Sequence, residues 1–189
     1  MKEKYKDFWM DCEWAEKEYV SKPVTEELVV EIEKELGYKL PLSYIELMKI
    51  QNGGIPNRAC YPTTEATSWA EDHIAITGMF GIGKEKNSSL CGEYGSEFWS
   101  KEWGYPKIGV YICDCPSAGH DMIALDYTEC GSQGEPKVVH IDQEHNYKVT
   151  FLAESFEEFI QNLKSDEEFE NNDSDENSGS ISESFSDDF

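Results

Sequence analysis

The chain has 189 residues, 39% hydrophobic and 13% aromatic, which is enough apolar mass for a core and too much for wholesale disorder. Its 39 acidic and 16 basic residues give a formal charge of −23, which argues against nucleic-acid and anionic-membrane partners, since both demand a basic face. No stretch approaches the roughly 20 apolar residues of a bilayer crossing, and the opening MKEKYKDFWMDCEWAEKEYV lacks a signal-peptide core, so a cytoplasmic location is expected.

Residues 1–22 place Phe8, Trp9, Met10, Trp14 and Tyr19 without a clear period, and read as a helix or extended arm that packs on the domain. Pro23 and Thr25 then open a clearer helix. Thr25 is its N-cap, Glu26 and Glu27 suit the positive end of the dipole, and Val29, Leu28, Ile32 and Leu36 supply an apolar stripe before Gly37 stops it. In LPLSYIELMKIQNGG, Pro41 suits the first helical position, and Tyr44, Leu47, Met48 and Gln51 share one side. Asn52, Gly53 and Gly54 end that helix because they tolerate positive φ.

Residues 55–107 are rich in turn signals. HIAITGMFGIG reads as one short strand, and SLCGEYGSEFWSKEWGYP as a surface excursion anchored by Trp99, Trp103 and Tyr105. Four strands follow in IGVYICD, DMIALDY, PKVVHID and YKVTFLA, with short links that predict an antiparallel meander. Ser155-Phe156-Glu157-Glu158 matches a capping box, and Phe156, Phe159, Ile160 and Leu163 make the buried stripe of a closing helix. From Ser165 onward the chain holds ten acids and no base, and reads as a disordered tail. Without those ten, 29 acids still face 16 bases, so the folded body keeps a charge of −13. The expected organisation is an arm at 1–22, a domain at 23–164 and an acidic tail at 165–189. Its fold class is α+β, an antiparallel or mixed sheet packed against N-terminal helices and a C-terminal helix.

Possible chemistry concentrates in VYICDCPSAGHDMIALDY. Cys113, Cys115, His120 and Cys130 could be named as zinc ligands, but the Cys-x-Cys spacing misses the knuckle template and puts the two cysteines about 6.6 Å apart along a regular strand. Pairing any of six cysteines with any of four histidines as a nucleophile is an almost empty signal, and buried reduced thiols are the default for a chain of this type. Asp114 and Asp121 flank a turn in which Gly119 permits the bend, while Val110, Ile112, Ile123 and Leu125 fill the core. No catalytic group, metal or cofactor is therefore expected. The favoured binding surface is EYGSEFWSKEWGY, where Trp99 and Trp103 are candidate anchors and Glu93, Glu97 and Glu102 could meet Lys or Arg on a partner.

The segment ELGYKLPLSYIELMKIQNGGIPN resembles the opening signature of the SUKH superfamily, which includes yeast cell-wall-assembly regulators and many bacterial immunity proteins. In that signature a Leu-Pro opens a helix and Asn-Gly-Gly closes it. EWGYPKIGVYICDCPSAGHDMIALDY is similar to the central strands, with a Gly-His-Asp turn and a Leu-Asp pair, and SFEEFIQNL is similar to the terminal helix. Residues 24–163 are covered, and Pro41, Asn52, Gly53, Gly54, Gly119 and Asp126 are the signature positions. The resemblance implies an α+β domain and, in bacteria, a cytosolic antitoxin against a polymorphic toxin, often a nuclease; it implies no shared catalytic constellation. The expectation is a protein partner with a basic toxin domain, bound and occluded. The alternative is a non-catalytic regulatory or scaffold module.

Overall fold

The computed structural model describes residues 5–170. The arm is part of the fold. Trp9 bridges Pro56, Met10 N donates to Ile55 O at 2.8 Å, and Asn57 N donates to Phe8 O at 2.8 Å. A short helix α1, Glu13–Glu18, starts at Cys12, whose sulfur accepts from Ala15 N at 3.4 Å. Tyr19 then runs inward, 2% exposed.

Helix α2, Glu26–Leu36, is capped as the sequence predicts: Thr25 Oγ1 accepts from Leu28 N at 3.2 Å, and Gly37 turns at φ +78. Its buried residues include Glu33, a charge within an otherwise apolar stripe. Glu33 accepts from Leu40 N at 3.0 Å and pairs with Lys39 at 2.6 Å, so the carboxylate keeps partners as it leaves water. Helix α3, Leu42–Ile50, buries Tyr44, Leu47 and Met48. Pro41 is its N-cap and not its first helical residue. Gln51, already extended at φ −148, ends α3 one residue before Asn52.

Two strands replace the single one expected in HIAITGMFGIG. β2, His73–Ala75, pairs with β1, Cys60–Pro62, in a small antiparallel sheet; β3, Gly78–Met79, joins the main sheet instead. The expected surface excursion contains a helix, α4, Ser96–Glu102, which lies against β4. Gly95 precedes it and no side chain caps it, so the usual start signal is missing from the sequence.

The main sheet is an antiparallel meander in the order β3-β4-β5-β6-β7, with β4 at Gly109–Asp114, β5 at Asp121–Asp126, β6 at Lys137–Asp142 and β7 at Lys148–Ala153. All four strands expected in this half of the chain are present. β4, β5 and β6 are buried along nearly their whole length, so both faces of the sheet are covered. Tyr111, Cys113, Met122 and Ala124 are therefore core residues alongside the alternating set Val110, Ile112, Ile123 and Leu125. Only β7 keeps an exposed face, through Val149 and Phe151. The β4–β5 register shifts between Tyr111 and Cys113, and Tyr111 N donates to Ser96 Oγ at 2.9 Å, which ties α4 to the irregular strand.

Helix α5, Phe156–Gln161, packs on α3, β6 and β7. Ser155 caps it from Glu158 N at 3.2 Å, but the Glu158 carboxylate reaches back to Glu154 N at 2.9 Å, one residue beyond the expected capping box. The acidic segment begins with order. Lys164 exchanges backbone hydrogen bonds with Cys60 at 3.0 and 2.8 Å, and a short helix α6 spans Glu167–Glu170. These first residues of the segment expected to be disordered thus carry a short helix, and the rest of that expectation, 171–189, lies outside the described residues.

Candidate functional site

The residues expected to meet a partner divide into two roles. Trp99 is 8% exposed. Its Nε1 donates to Tyr94 O at 3.0 Å, and its ring packs against Phe98, Trp103 and Tyr105 with centroids 5.2 to 5.9 Å apart. Trp103 is half-buried, meets His120 edge-on at 6.1 Å, and its carbonyl accepts from the Tyr147 hydroxyl. Both indoles hold α4 to the sheet. Glu93, Glu97 and Glu102 are exposed, as a charged partner would require.

These carboxylates rim a groove of about 430 Å³ between the end of α2 and the outer side of α4. Leu36, Tyr38 and Phe98 line it, with Glu35 on the α2 side and Lys101 and Lys107 among its edges. Lys101 is taken by Glu97 at 2.7 Å one helical turn away, and Lys84 lies 2.5 Å from Glu35 and 2.9 Å from Glu31. Four carboxylates and three lysines, Lys84, Lys101 and Lys107, surround one apolar floor. Among the described residues Glu35 and Glu97 are ion-paired and Glu93 and Glu102 are not, so those two are the charges open to a cationic side chain with an aliphatic stem. Tyr94, 42% exposed, adds an accessible ring beside it. Sequence reasoning missed Glu35, because it lies on α2, some sixty residues from the segment that signalled a surface.

The signature residues are structural. Asn52 is 2% exposed; its Nδ2 donates to Lys22 O and Ile82 O at 2.7 and 2.9 Å, and its Oδ1 accepts from Ile82 N at 2.7 Å. It clamps the arm to the loop after β3, a role beyond ending a helix. Gly53, at φ +92, leaves no room for a side chain, since a Cβ would stand 2.5 Å from Tyr19 O. Gly54 pairs its backbone with Met79. Gly119, at φ +93, lies beneath Trp99, with space for a Cβ only 2.7 Å from the ring. Asp126 Oδ1 accepts from Thr128 N at 2.9 Å and Thr128 Oγ1 at 2.7 Å, closing the turn after β5.

The four nominated zinc ligands do not come together. His120 precedes β5 and Cys130 follows it, at opposite ends of a six-residue strand about 17 Å long. Cys115 instead joins Asp121 and His140 in a fully buried group. His140 Nε2 lies 2.7 Å from Asp121 Oδ2, and Ser117 Oγ donates to the other carboxylate oxygen. Burial, and then the Asp121 charge, pushes the Cys115 thiol well up, which favours its protonated form. Asp114 receives the Tyr19 hydroxyl at 2.8 and 3.0 Å and Gly78 N at 3.0 Å. Burial nevertheless raises its pKa to about 6, against the lowering effect of those hydrogen bonds. Asp114, Asp121 and Asp126 are thus each held by hydrogen bonds within the fold.

The profile of the SMI1 / KNR4 family (SUKH-1) matches residues 23–162, most of the chain. The chain belongs to that family. The matched span begins after the arm, so α1 and Tyr19 lie outside it while Asp114, the partner of the Tyr19 hydroxyl, lies within it. No curated protein matches the chain. Among the described residues no helix is long and apolar enough to cross a membrane.

Proposed function

We propose that this protein is an intracellular immunity protein that binds a basic bacterial toxin, a nuclease being one candidate class, and blocks it by occlusion. The groove rimmed by Glu35, Glu93, Glu97 and Glu102 carries this reading, because it combines exposed negative charge with an apolar floor. A body charge of −13 adds a long-range field that raises the encounter rate with a cation. Membership of the family is consistent with such a role. Contact then needs little rearrangement, since the indoles beneath α4 already hold the helix in place. The toxin seats a Lys or Arg in the groove and covers Tyr94 and Phe98. No bond is made or broken.

The test is co-expression with the product of the neighbouring gene. Protection from its toxicity by the intact protein, lost on Glu93→Lys with Glu97→Lys, supports the proposal. Absence of a toxic neighbour, or full protection by that double variant, refutes it.

A regulatory or scaffold module is the second reading, favoured by the ten acids of residues 165–189. Truncation after Glu170 keeps the docked α6 and separates the two ideas: protection survives it under the first, and partner binding fails under the second.

A further inference from the structure

Cys60 and His73, on the paired strands β1 and β2, meet the sequence-remote Asp166 where the acidic segment leaves the domain. One ligating atom from each falls within 4.8 Å of the other two. Cys60 Sγ and Asp166 Oδ1 are 3.8 Å apart. Two ligands on a tetrahedral zinc, with bonds of about 2.3 Å to sulfur and about 2.1 Å to oxygen, stand about 3.6 Å apart. The Cys60–Asp166 pair already has the spacing of a coordination shell, and a His73 nitrogen lies within 4.8 Å of both.

We propose that Cys60, His73 and Asp166 form a site for zinc or a similar divalent transition metal, which clasps the start of the acidic segment to the β1–β2 sheet. This proposal stands apart from the immunity reading. Three further observations support it. Asp72 Oδ1 lies 2.7 Å from His73 Nδ1, the carboxylate–imidazole contact that orients a metal-binding histidine and leaves its other nitrogen as the ligand. Phe169 of α6 stacks on the same imidazole with centroids 4.1 Å apart, and the paired backbones of Cys60 and Lys164 fix Asp166 two residues on. Asp166 is exposed while Cys60 is buried, so an ion has a route in and a protected thiol to meet.

Burial and the Asp166 charge hold the metal-free thiol up at about 11. A dication reverses that balance: the thiol releases its proton to solvent, and the new sulfur–metal bond offsets the crowding of thiolate and carboxylate. Three protein ligands leave the fourth position for water.

The experiment uses the full chain with cobalt(II), then zinc(II), alone. One cobalt binds per chain with a thiolate-to-cobalt charge-transfer band, and one equivalent of zinc removes that band. Cys60→Ser abolishes the band and Cys115→Ser leaves it. Asp166→Asn and His73→Gln weaken zinc binding by about tenfold or more while the fold is retained. Zinc slows amide exchange at Cys60 and at residues 164–170 in the parent, and has no such effect in Asp166→Asn. A folded parent without the band, a band that survives Cys60→Ser, or unchanged zinc affinity in both other variants overturns the site. Cation binding by carboxylates elsewhere in the acidic segment yields no thiolate band.

Discussion

Replacing Asp114 by Asn removes a carboxylate whose pKa is raised from 3.8 to about 6 by burial. Asn keeps an oxygen for Gly78 N and an amide for the Tyr19 hydroxyl, so the contact geometry survives. The sign follows from linkage. A carboxyl with a folded pKa above its unfolded value contributes fully below the unfolded value, near pH 4, and its contribution is lost as pH rises through about 6. A shift of that size corresponds to about 3 kcal/mol on the pH 7 side. Urea unfolding of parent and Asp114→Asn at a series of pH values isolates the effect, because every other titrating group is common to both. The parent loses about 3 kcal/mol relative to the variant between pH 4 and pH 7. A difference between the two proteins that stays flat across that range refutes the reasoning, and one that grows in the parent's favour reverses its sign.

Gly119→Ala meets both a positive φ and the Trp99 ring, and costs about 2 kcal/mol or more, while Gly37→Ala, with nothing within 4 Å, costs about 1; thermal melts of the pair read the difference. Trp99→Ala costs about 3 to 5 kcal/mol in folding, whereas Glu97→Gln and Glu102→Gln stay within about 0.5, so denaturation curves separate anchors from surface charges. Asn52→Ala strands the three backbone groups it serves and lowers stability by about 2 kcal/mol or more, accompanied by faster amide exchange at Ile82.

The sequence showed most plainly the parts governed by local rules. The four long strands, the Thr25 cap and the Gly37 stop are set by neighbours within a few residues, and each stands where the pattern placed it. Helix α4 was hidden because Gly95 offers no side-chain cap and its buried aromatic residue, Trp99, packs against partners outside the helix. The split of HIAITGMFGIG between two sheets depends on partners at Cys60 and Asp114, which a local period cannot report. The acidic half of the site was legible from the exposed glutamates in 93–102, and its α2 wall was not. Trp99 looked like an interface anchor because composition alone does not separate a ring that binds a partner from one that binds its own fold. The Cys60, His73 and Asp166 group has no spacing to detect, since it forms only when residues more than ninety positions apart are folded together.

Stopped-flow association with the neighbouring gene product, at salt concentrations from about 25 to about 250 mM, tests the electrostatic core of this account. The account predicts a rate that falls by about tenfold or more over that range, and that drops at low salt when Glu35, Glu93, Glu97 and Glu102 are all changed to Gln. A rate indifferent to salt and to those four changes would contradict it.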